Sequence, residues 1–235
     1  MRLRFVLEQK ETTEAMRYTL SILAFLLLLS SCGPDSRPGI LGKLRIDSLL
    51  TTQEEPPQEA EAMDTASFEQ AFGRFFGALQ AGDTAALNQF VDAEQGLWLI
   101  EQPGAVPAYS HFRTIQQVQR KYQQQPFISI NQQVKECQLQ QRDVFPEFDC
   151  ADMDQGATGF AEDGCFYTFE TASFQSTDMW QYADLSEQQA QQVQEMQQQV
   201  QATVLHTGSS FRFHFGYRNG QWHLLFADLR VPCSA

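Results

Sequence analysis

The stretch FRFHFGYRNGQWHLLFAD, residues 211–228, carries the clearest structural signal in the chain. At its centre, Asn219-Gly220 is a pair that two-residue hairpin turns favour, because both turn positions need a positive φ. Folding the chain about this turn places apolar side chains opposite one another in three pairs: Tyr217 with Trp222, Phe215 with Leu224, and Phe213 with Phe226. The stretch therefore predicts an antiparallel hairpin with one apolar face.

The other face of this hairpin is polar. It carries four basic or titratable side chains: Arg212, His214, Arg218 and His223. Since side chains alternate between the faces of a strand, one face is expected in the core and the other toward water or a second layer. His214 and His223 lie diagonally and could share a metal ion, but no third ligand is identifiable, so surface histidines are expected.

Two helices are predicted where the folded domain begins. Asp64 can cap a helix whose apolar residues recur at spacings of three and four: Phe68, Phe72, Phe75, Phe76 and Leu79. Gly82 ends this helix, and Asp83 caps a shorter one that carries Leu87, Phe90 and Val91. The domain is therefore expected to begin near Asp64.

The middle of the chain is predicted to hold strands and a third helix. The run 96–100 is short, apolar and bounded by glycine, which is typical of a buried strand. A third helix is expected from about Ser110, on the spacing of four residues: Phe112, Ile115, Val118 and Tyr122. Further strands are expected at 127–139 and 164–174, on either side of an irregular acidic loop.

A long helix is predicted at 186–206. Ser186 and Gln189 have the spacing of a capping box. One helix face is expected from four apolar residues: Val193, Met196, Val200 and Val204. Gly208 follows as a stop signal, so the helix is expected to end near His206.

These elements predict an α+β fold in the order helix-helix-strand-helix followed by four strands. Three features resemble the nuclear transport factor two-like superfamily: a first helix rich in Phe, Ala81-Gly82-Asp83 before the second helix, and the closing hairpin with Asn219-Gly220-Gln221-Trp222. The resemblance covers residues 64–230. It implies helices packed in the concavity of a curved antiparallel sheet, a cystatin-like cone around an apolar cavity. The loop 140–163 and the helix at 186–206 are insertions relative to that cone.

The amino-terminal segment is predicted to direct export. Arg17 precedes the apolar run 22–29, which leads into Leu29-Ser30-Ser31-Cys32. A basic flank, a short apolar core and small residues before a cysteine are typical of a cleaved export signal, and the core is too short to span a bilayer. The pattern resembles the bacterial lipobox, in which the cysteine is acylated. Residues 1–31 are therefore interpreted as a signal peptide and Cys32 as a lipid anchor.

Two details refine this interpretation. Three glutamates lie before residue 16, where export signals are basic, so translation is expected to start at Met16. Gly33, rather than an acidic residue, follows Cys32, which in the lipoprotein resemblance favours the outer membrane. Residues 32–63 are rich in proline and glycine and are predicted to form a flexible tether, which leaves 64–235 as one domain.

The composition limits the partners of this domain. The formal net charge is −13, which disfavours nucleic acid because a strongly acidic surface repels phosphates. The expected partners are the membrane, through the lipid on Cys32, and a small apolar ligand or an envelope protein. No cofactor and no metal centre are predicted.

The cysteines are expected to form disulfides. Four remain besides Cys32: Cys137, Cys150, Cys165 and Cys233. An even count in an oxidising envelope favours disulfides, and none of the four has the close spacing of a zinc site. An antiparallel meander favours Cys137–Cys165, with Cys150–Cys233 if the acidic loop folds across the sheet, and Cys150–Cys165 as the alternative.

No catalytic motif is present, so the leading hypothesis is noncatalytic binding. Six residues are candidates to line a cavity: Trp98, Tyr109, His111, Tyr167, Phe169 and Trp222. The alternative is an enzyme of the isomerase or dehydratase type, with an acid–base pair drawn from His111, Asp83 and Tyr167. A deep pocket with a buried carboxylate or histidine beside a tyrosine would favour the enzyme, whereas a cavity filled by side chains would favour binding.

Overall fold

The computed structural model describes residues 65–233. The predicted signal peptide with Met16, the anchor Cys32, the tether at 32–63 and the cap Asp64 lie outside the described residues. Among the helices of 65–233, none is long and apolar enough to cross a membrane.

Two helices begin this part of the chain, as the sequence predicts. Helix α1 spans Thr65–Ala81 and helix α2 spans Thr84–Asn88. Gly82 lies between them with a φ of 71°. The side chain of Asp83 accepts a hydrogen bond from the amide of Ala86 at 2.9 Å, which caps the amino end of α2.

Seven strands form one mixed sheet in the described residues, in the order β2-β1-β7-β6-β5-β4-β3. The strands are β1 Leu97–Glu101, β2 Ala108–Phe112, β3 Leu139–Gln141, β4 Cys165–Thr168, β5 Ala202–His206, β6 Phe211–Arg218 and β7 Gln221–Asp228. β1 runs parallel to β7, β3 runs parallel to β4, and the other neighbours are antiparallel. The fold is therefore α+β, as predicted, but the sheet is not purely antiparallel.

The closing hairpin forms about Asn219-Gly220, with one difference in register. Two predicted pairs are present: Tyr217 with Trp222, and Phe215 with Leu224. The third is wrong, because a bulge between His214 and Phe215 pairs Phe213 with Ala227 instead of Phe226. The run 224–227 is apolar throughout, so either register buries an apolar side chain and alternation does not reveal the bulge.

The third helix predicted from Ser110 does not form. Residues Ala108–Phe112 are strand β2, and only Ile115–Gln117 turn as a 3₁₀ helix. Ile115 and Val118 are nevertheless buried. Their spacing reflects two contacts of an irregular segment with the core and not one face of a helix.

Both long strands predicted in the middle of the chain are wrong in extent. Phe127–Gln132 is a 3₁₀ helix, and β3 starts only at Leu139. The segment at 164–174 is a strand only as far as Thr168, after which Ala172–Gln175 form the short helix α3. In these two segments, a high content of aromatic and β-branched residues indicates that the segment is buried, but it does not indicate how long the strand is.

The helix predicted at 186–206 is divided into a helix and a strand. The capping box of Ser186 and Gln189 begins helix α4, Glu187–Gln197, and β5 follows. Val193 and Val204 have helical spacing but belong to two different hydrophobic clusters. The tertiary structure therefore overrides the apolar period in this region.

The two hydrophobic clusters lie on opposite faces of the sheet. The inner face packs against α1, and its cluster includes Phe68 and Phe75 from α1 with Phe213 and Phe215 from β6. The outer face packs against α4, and its cluster includes Trp98, Ile100, Phe226, Val193 and Met196. Helices therefore cover both faces of the sheet.

The favoured disulfide Cys137–Cys165 is present, and so is Cys150–Cys233, which was expected only if the acidic loop folds across the sheet. Cys137 and Cys165 have Cα atoms 5.0 Å apart, and those of Cys150 and Cys233 are 5.9 Å apart. The meander from which the pairing was derived is wrong, because β3 runs parallel to β4 and places Leu139 opposite Cys165. Cys137 is two residues from Leu139, so the parallel ladder also brings the two cysteines together.

Candidate functional site

Two rows of side chains cross the outer face of the sheet. Along β4-β5-β6-β7-β1, the first row consists of Phe166, Leu205, Arg212, Asp228 and Ile100. The second row consists of Thr168, Thr203, His214, Phe226 and Trp98. Because cross-strand neighbours point to the same face, the polar members of both rows lie side by side on β4 to β7.

A cleft of about 460 Å³ lies over these polar members, and we call it the outer cleft. Its floor consists of Thr168, Thr203, Arg212, His214 and Asp228. Its apolar walls come from the segment after β3, from α3 and from the turn that follows α3: Val144, Phe145, Phe174 and Met179. The cleft thus combines a polar floor with apolar walls.

Asp228 is the buried anion of the floor. It is 2% exposed, and it accepts hydrogen bonds from Arg230 at 2.8 Å (Nε to Oδ1) and 2.5 Å (Nη2 to Oδ2). Burial acts to raise the pKa of this carboxyl, but the hydrogen bonds and charge of Arg230 hold the pKa below its usual value. Asp228 is therefore ionised, and Arg230 neutralises it in a bidentate pair.

Arg212 brings a second guanidinium group to the same carboxylate. It pairs with Asp228 across the β6–β7 ladder, but within 65–233 its side chain makes no hydrogen bond. Burial lowers the pKa of Arg212, Asp228 opposes that effect, and Arg230 adds to it. Among residues 65–233, Arg230 is the ion-pair partner of Asp228, and the half-buried Arg212 adds a positive charge to the floor without an ion pair of its own.

The other carboxylates of the outer cleft lie at its rim. Asp143 and Glu170 line the cleft, and both residues are exposed to water. Glu170 Oε1 accepts a hydrogen bond from the amide of Ala172. Water screens exposed charges strongly, so these two acids do not replace a partner for Arg212.

His214 is the most deeply buried titratable base of the cleft. It is 1% exposed, its Nδ1 lies 2.9 Å from Oγ1 of Thr203, and its ring stacks on Phe174 with centroids 3.6 Å apart. Burial lowers its pKa to about 3, so the ring is neutral at pH 7. Its Nε2 is buried and has no hydrogen-bond partner among the described residues. Such an atom costs roughly 1–3 kcal/mol, which a ligand oxygen would recover.

The expectation that His214 and His223 are surface histidines is wrong. They are 1% and 8% exposed, and Phe174 of a second layer stacks on the ring of His214. In the described part of the chain, no three His, Cys, Asp or Glu side chains are grouped to hold a metal ion.

A second concavity, of about 560 Å³, lies beside the end of β1. Its two buried charged side chains, Glu101 and Arg120, are satisfied within the protein. Arg120 Nε lies 3.3 Å from Oε1 of Glu101, and the amide of Lys121 donates to Oε2 of Glu101 at 2.6 Å. Arg120 also donates to Ser129 at 3.2 Å. Because these partners are already in place, the outer cleft is the stronger candidate site.

The six predicted cavity residues do not line one cavity. Tyr167, Phe169 and Trp222 belong to the inner cluster, whereas Trp98 and Tyr109 belong to the outer one. His111 Nε2 lies 2.6 Å from the carbonyl oxygen of Gln95, beside the edge strand β2. Trp98 and His111 together line a small cavity of about 140 Å³, whereas the other four are packed in the two clusters and do not line that cavity.

Aromatic rings fill the region between α1 and the inner face. The ring of Phe68 lies 5.2 Å from that of Tyr167, 5.7 Å from that of Phe215 and 4.8 Å from that of Trp222. Tyr167 donates a hydrogen bond to Glu69 at 2.8 Å. Side chains therefore fill the region between α1 and the inner face of the sheet.

The three residues of the alternative acid–base pair have separate structural partners. Asp83 caps α2, His111 contacts a backbone carbonyl, and Tyr167 donates to Glu69. Tyr167 faces α1, whereas His111 pairs with Trp98 of the outer cluster. The structure therefore does not bring these three side chains together.

The sequence singled out part of the outer cleft and missed the rest. Arg212 and His214 were placed on the polar face of the hairpin, but Asp228 and Arg230 were not considered. The available signal was an aspartate at the end of an apolar strand, two residues before an arginine, but only the bulge places this aspartate on the face that holds Arg212.

The chain matches no protein-family model, no curated protein and no solved structure. The geometry of the described residues and the sequence pattern of the amino-terminal segment are therefore the two indications of function.

Proposed function

We propose that this protein is a noncatalytic binding protein of the bacterial envelope, anchored at the outer membrane through Cys32, and that the outer cleft holds a small, largely apolar ligand. The observation that carries the binding site is that His214, whose buried Nε2 has no partner among the described residues, lines a cleft with apolar walls. Small-molecule sites are typically concave and mostly apolar, with a few polar groups that orient the ligand. The outer cleft has this composition.

The nuclear transport factor two-like cone is part of the proposal. It is supported by two helices ahead of the sheet and by the packing of α1 along one sheet face through Phe68, Phe72 and Phe75. The resemblance implies a cavity inside the cone. Aromatic side chains occupy that region here, so the ligand site is assigned to the opposite face.

The lipid anchor is supported by Leu29-Ser30-Ser31-Cys32 and is tested separately. Two or more acyl chains hold a protein stably at a bilayer. A Cys32→Ser variant is expected to leave the membrane fraction, and only the wild type should incorporate labelled palmitate. A variant that stays with the membrane, together with an unlabelled wild type, would show that the anchor is wrong.

A buried carboxylate and a buried histidine lie in the outer cleft, and such a pair of groups can serve in acid–base catalysis. With a pKa of about 3, His214 accepts a proton poorly at neutral pH. Asp228 is held by two side-chain hydrogen bonds and one backbone hydrogen bond from Arg230. A tyrosine beside the histidine would support catalysis, but Tyr109 belongs to the outer hydrophobic cluster and does not line the cleft. These groups suit ligand binding better than proton transfer.

The binding proposal is tested with N-phenyl-1-naphthylamine, a neutral apolar probe that fluoresces when it leaves water. The full chain carrying Cys32→Ser is titrated without detergent. Ser173 is exposed and lines the outer cleft, so Ser173→Trp should obstruct the site and weaken binding at least tenfold. Ala172 is exposed and does not line the cleft, so Ala172→Trp is the matched control. Equal binding by the two variants, or no binding by the parent, would overturn the proposal.

A further inference from the structure

We infer that the outer cleft selects amphiphiles with a single carboxylate head, which Arg212 binds, and an apolar body, which the cleft walls cover. This inference rests on the proposed function and specifies the chemical class of the ligand. It concerns the face of the sheet opposite to α1.

The charge of the cleft floor supports an anionic head. Arg230 uses Nε and Nη2 to bind both oxygens of Asp228, whereas Arg212 makes no side-chain hydrogen bond among the described residues. A guanidinium group presents donors in a planar fork that matches a carboxylate. Arg212 is therefore the cation that remains available to a ligand.

His214 supplies a second polar contact. A neutral imidazole has one N–H group, and when Oγ1 of Thr203 donates to Nδ1, the hydrogen lies on Nε2. The unpartnered Nε2 is then a buried donor on a residue that lines the same cleft as Arg212. A carboxylate that receives hydrogen bonds from Arg212 and His214 would satisfy both groups.

The balance of charge favours a monoanion over a dianion. Arg212, Arg230 and Asp228 sum to one positive charge, which a carboxylate neutralises. A phosphate monoester would carry nearly two negative charges and leave one of them buried without a partner. The exposed Asp143 and Glu170 at the rim, in a chain of net charge −13, further oppose a polyanion.

The walls favour an apolar body. Val144, Phe145, Phe174 and Met179 line the outer cleft, and methionine and aromatic side chains adapt well to flexible apolar groups. The volume of about 460 Å³ lies within the range of small-molecule sites, roughly 300–1,000 Å³. The cleft therefore has room for a body as well as a head group.

The experiment compares four ligands with the same tail: decanoate, decanol, decylammonium and decyl phosphate. Each is titrated by calorimetry into the full chain carrying Cys32→Ser, below its micellar concentration and at fixed salt. Decanoate is expected to bind at least tenfold more tightly than decanol and decyl phosphate, and decylammonium most weakly. Arg212→Gln should bring decanoate to within about twofold of decanol while leaving decanol binding unchanged.

Arg218→Gln is the matched control. Arg218 lies on the same strand but contacts Asp92 and Glu94, so its removal should preserve the preference for decanoate. Equal binding of decanoate and decanol by the parent protein would overturn the carboxylate inference and leave the proposed function intact. If none of the four ligands binds, the carboxylate inference and the proposed function are both wrong. This comparison of head groups needs only the parent protein, so it tests the preference for a carboxylate even if Arg212→Gln fails to fold.

Discussion

The inner and outer faces of the sheet share their strands but bury different groups. Against α1, the inner face buries mainly aromatic and aliphatic side chains, and Tyr167 has a partner for its hydroxyl group. The outer face buries Asp228, His214 and Thr203 beside Phe226 and Trp98. Burying polar groups is unfavourable unless they are paired. The inner face is therefore expected to dominate stability, and the outer face to carry recognition.

The unpartnered buried atoms show the same contrast. In the described residues, five buried side-chain atoms lack a hydrogen-bond partner: Trp98 Nε1, Tyr109 Oη, His214 Nε2, Trp222 Nε1 and His223 Nδ1. Trp222 belongs to the inner face, and the alternation of strand residues places the other four on the outer face. Of these, His214 lines the outer cleft.

The largest expected effect comes from the inner face. Phe75 is fully buried, with ring centroids 5.5 Å from Phe213 and 5.4 Å from Phe215. Phe75→Ala should lower the free energy of unfolding by about 4 kcal/mol, because it removes apolar contacts and leaves a cavity. Urea denaturation at pH 7 measures this loss. Val144→Ala, at a residue 80% exposed, should change it by less than about 0.5 kcal/mol. A loss below about 1 kcal/mol in Phe75→Ala would contradict tight packing of the inner face.

The disulfide at the edge of the inner cluster ranks next. Cys137 and Cys165 are 28 residues apart in sequence, and the chain-entropy model gives about 3.5 kcal/mol for closing such a loop. Replacing both with alanine should lower the free energy of unfolding by about that amount. Nonreducing peptide mapping of the parent should show Cys137 linked to Cys165, and Cys150 linked to Cys233. A Cys150–Cys165 peptide would support the rejected alternative.

Acid should act mainly through the outer face. Burial holds the pKa of His214 at about 3 in the folded protein, against 6.5 for an ordinary histidine. Between these values the unfolded chain binds more protons at this residue, so the contribution of His214 to the free energy of unfolding is complete above pH 6.5 and decreases as the pH falls, by about 3 kcal/mol at pH 4. Urea denaturation at pH 7, 5.5 and 4 measures how the free energy of unfolding changes with pH. His214→Asn should reduce this dependence, and His111→Asn should retain it. An unchanged slope in His214→Asn would assign the acid sensitivity to other groups.

The smallest expected effect tests the helix that covers the outer face. Ser186 and Gln189 form a reciprocal capping box at the start of α4. Ser186→Ala should lower the free energy of unfolding by about 1 kcal/mol, because an amide at the helix end loses its acceptor. Hydrogen exchange at the amide of Gln189 should speed up in parallel. Gln188→Ala, at an exposed neighbouring position, should leave both measurements nearly unchanged.

The features visible in the sequence were those determined by neighbouring residues. The cap at Asp83, the capping box of Ser186 and the turn at Asn219-Gly220 all form where expected. The α+β class follows from such local signals. The path of the chain through 110–139 could not be predicted from such signals, because Ile115 and Val118 are buried by tertiary contacts that leave no fixed period in the sequence.

The candidate site was harder to predict for a related reason. Arg212 and Asp228 lie on different strands, and the bulge after His214 sets the register that joins them. Alternation alone placed Phe226 opposite Phe213, a register in which Asp228 is not paired with Arg212. Sequence reasoning therefore located Arg212 and His214, two of the five floor residues, and could not find the carboxylate.

The position of β7 has a consequence for how the sheet assembles. The last strand in sequence lies between β1 and β6, with Trp98 opposite Phe226. Bringing β1 to β7 closes a long stretch of chain, and such nonlocal pairing slows folding. Until β7 docks, β1 and β6 each present an open backbone edge to other chains. A nascent polypeptide that ends before residue 221 thus has two unfinished half-sheets, and premature termination should yield aggregates instead of a smaller folded protein.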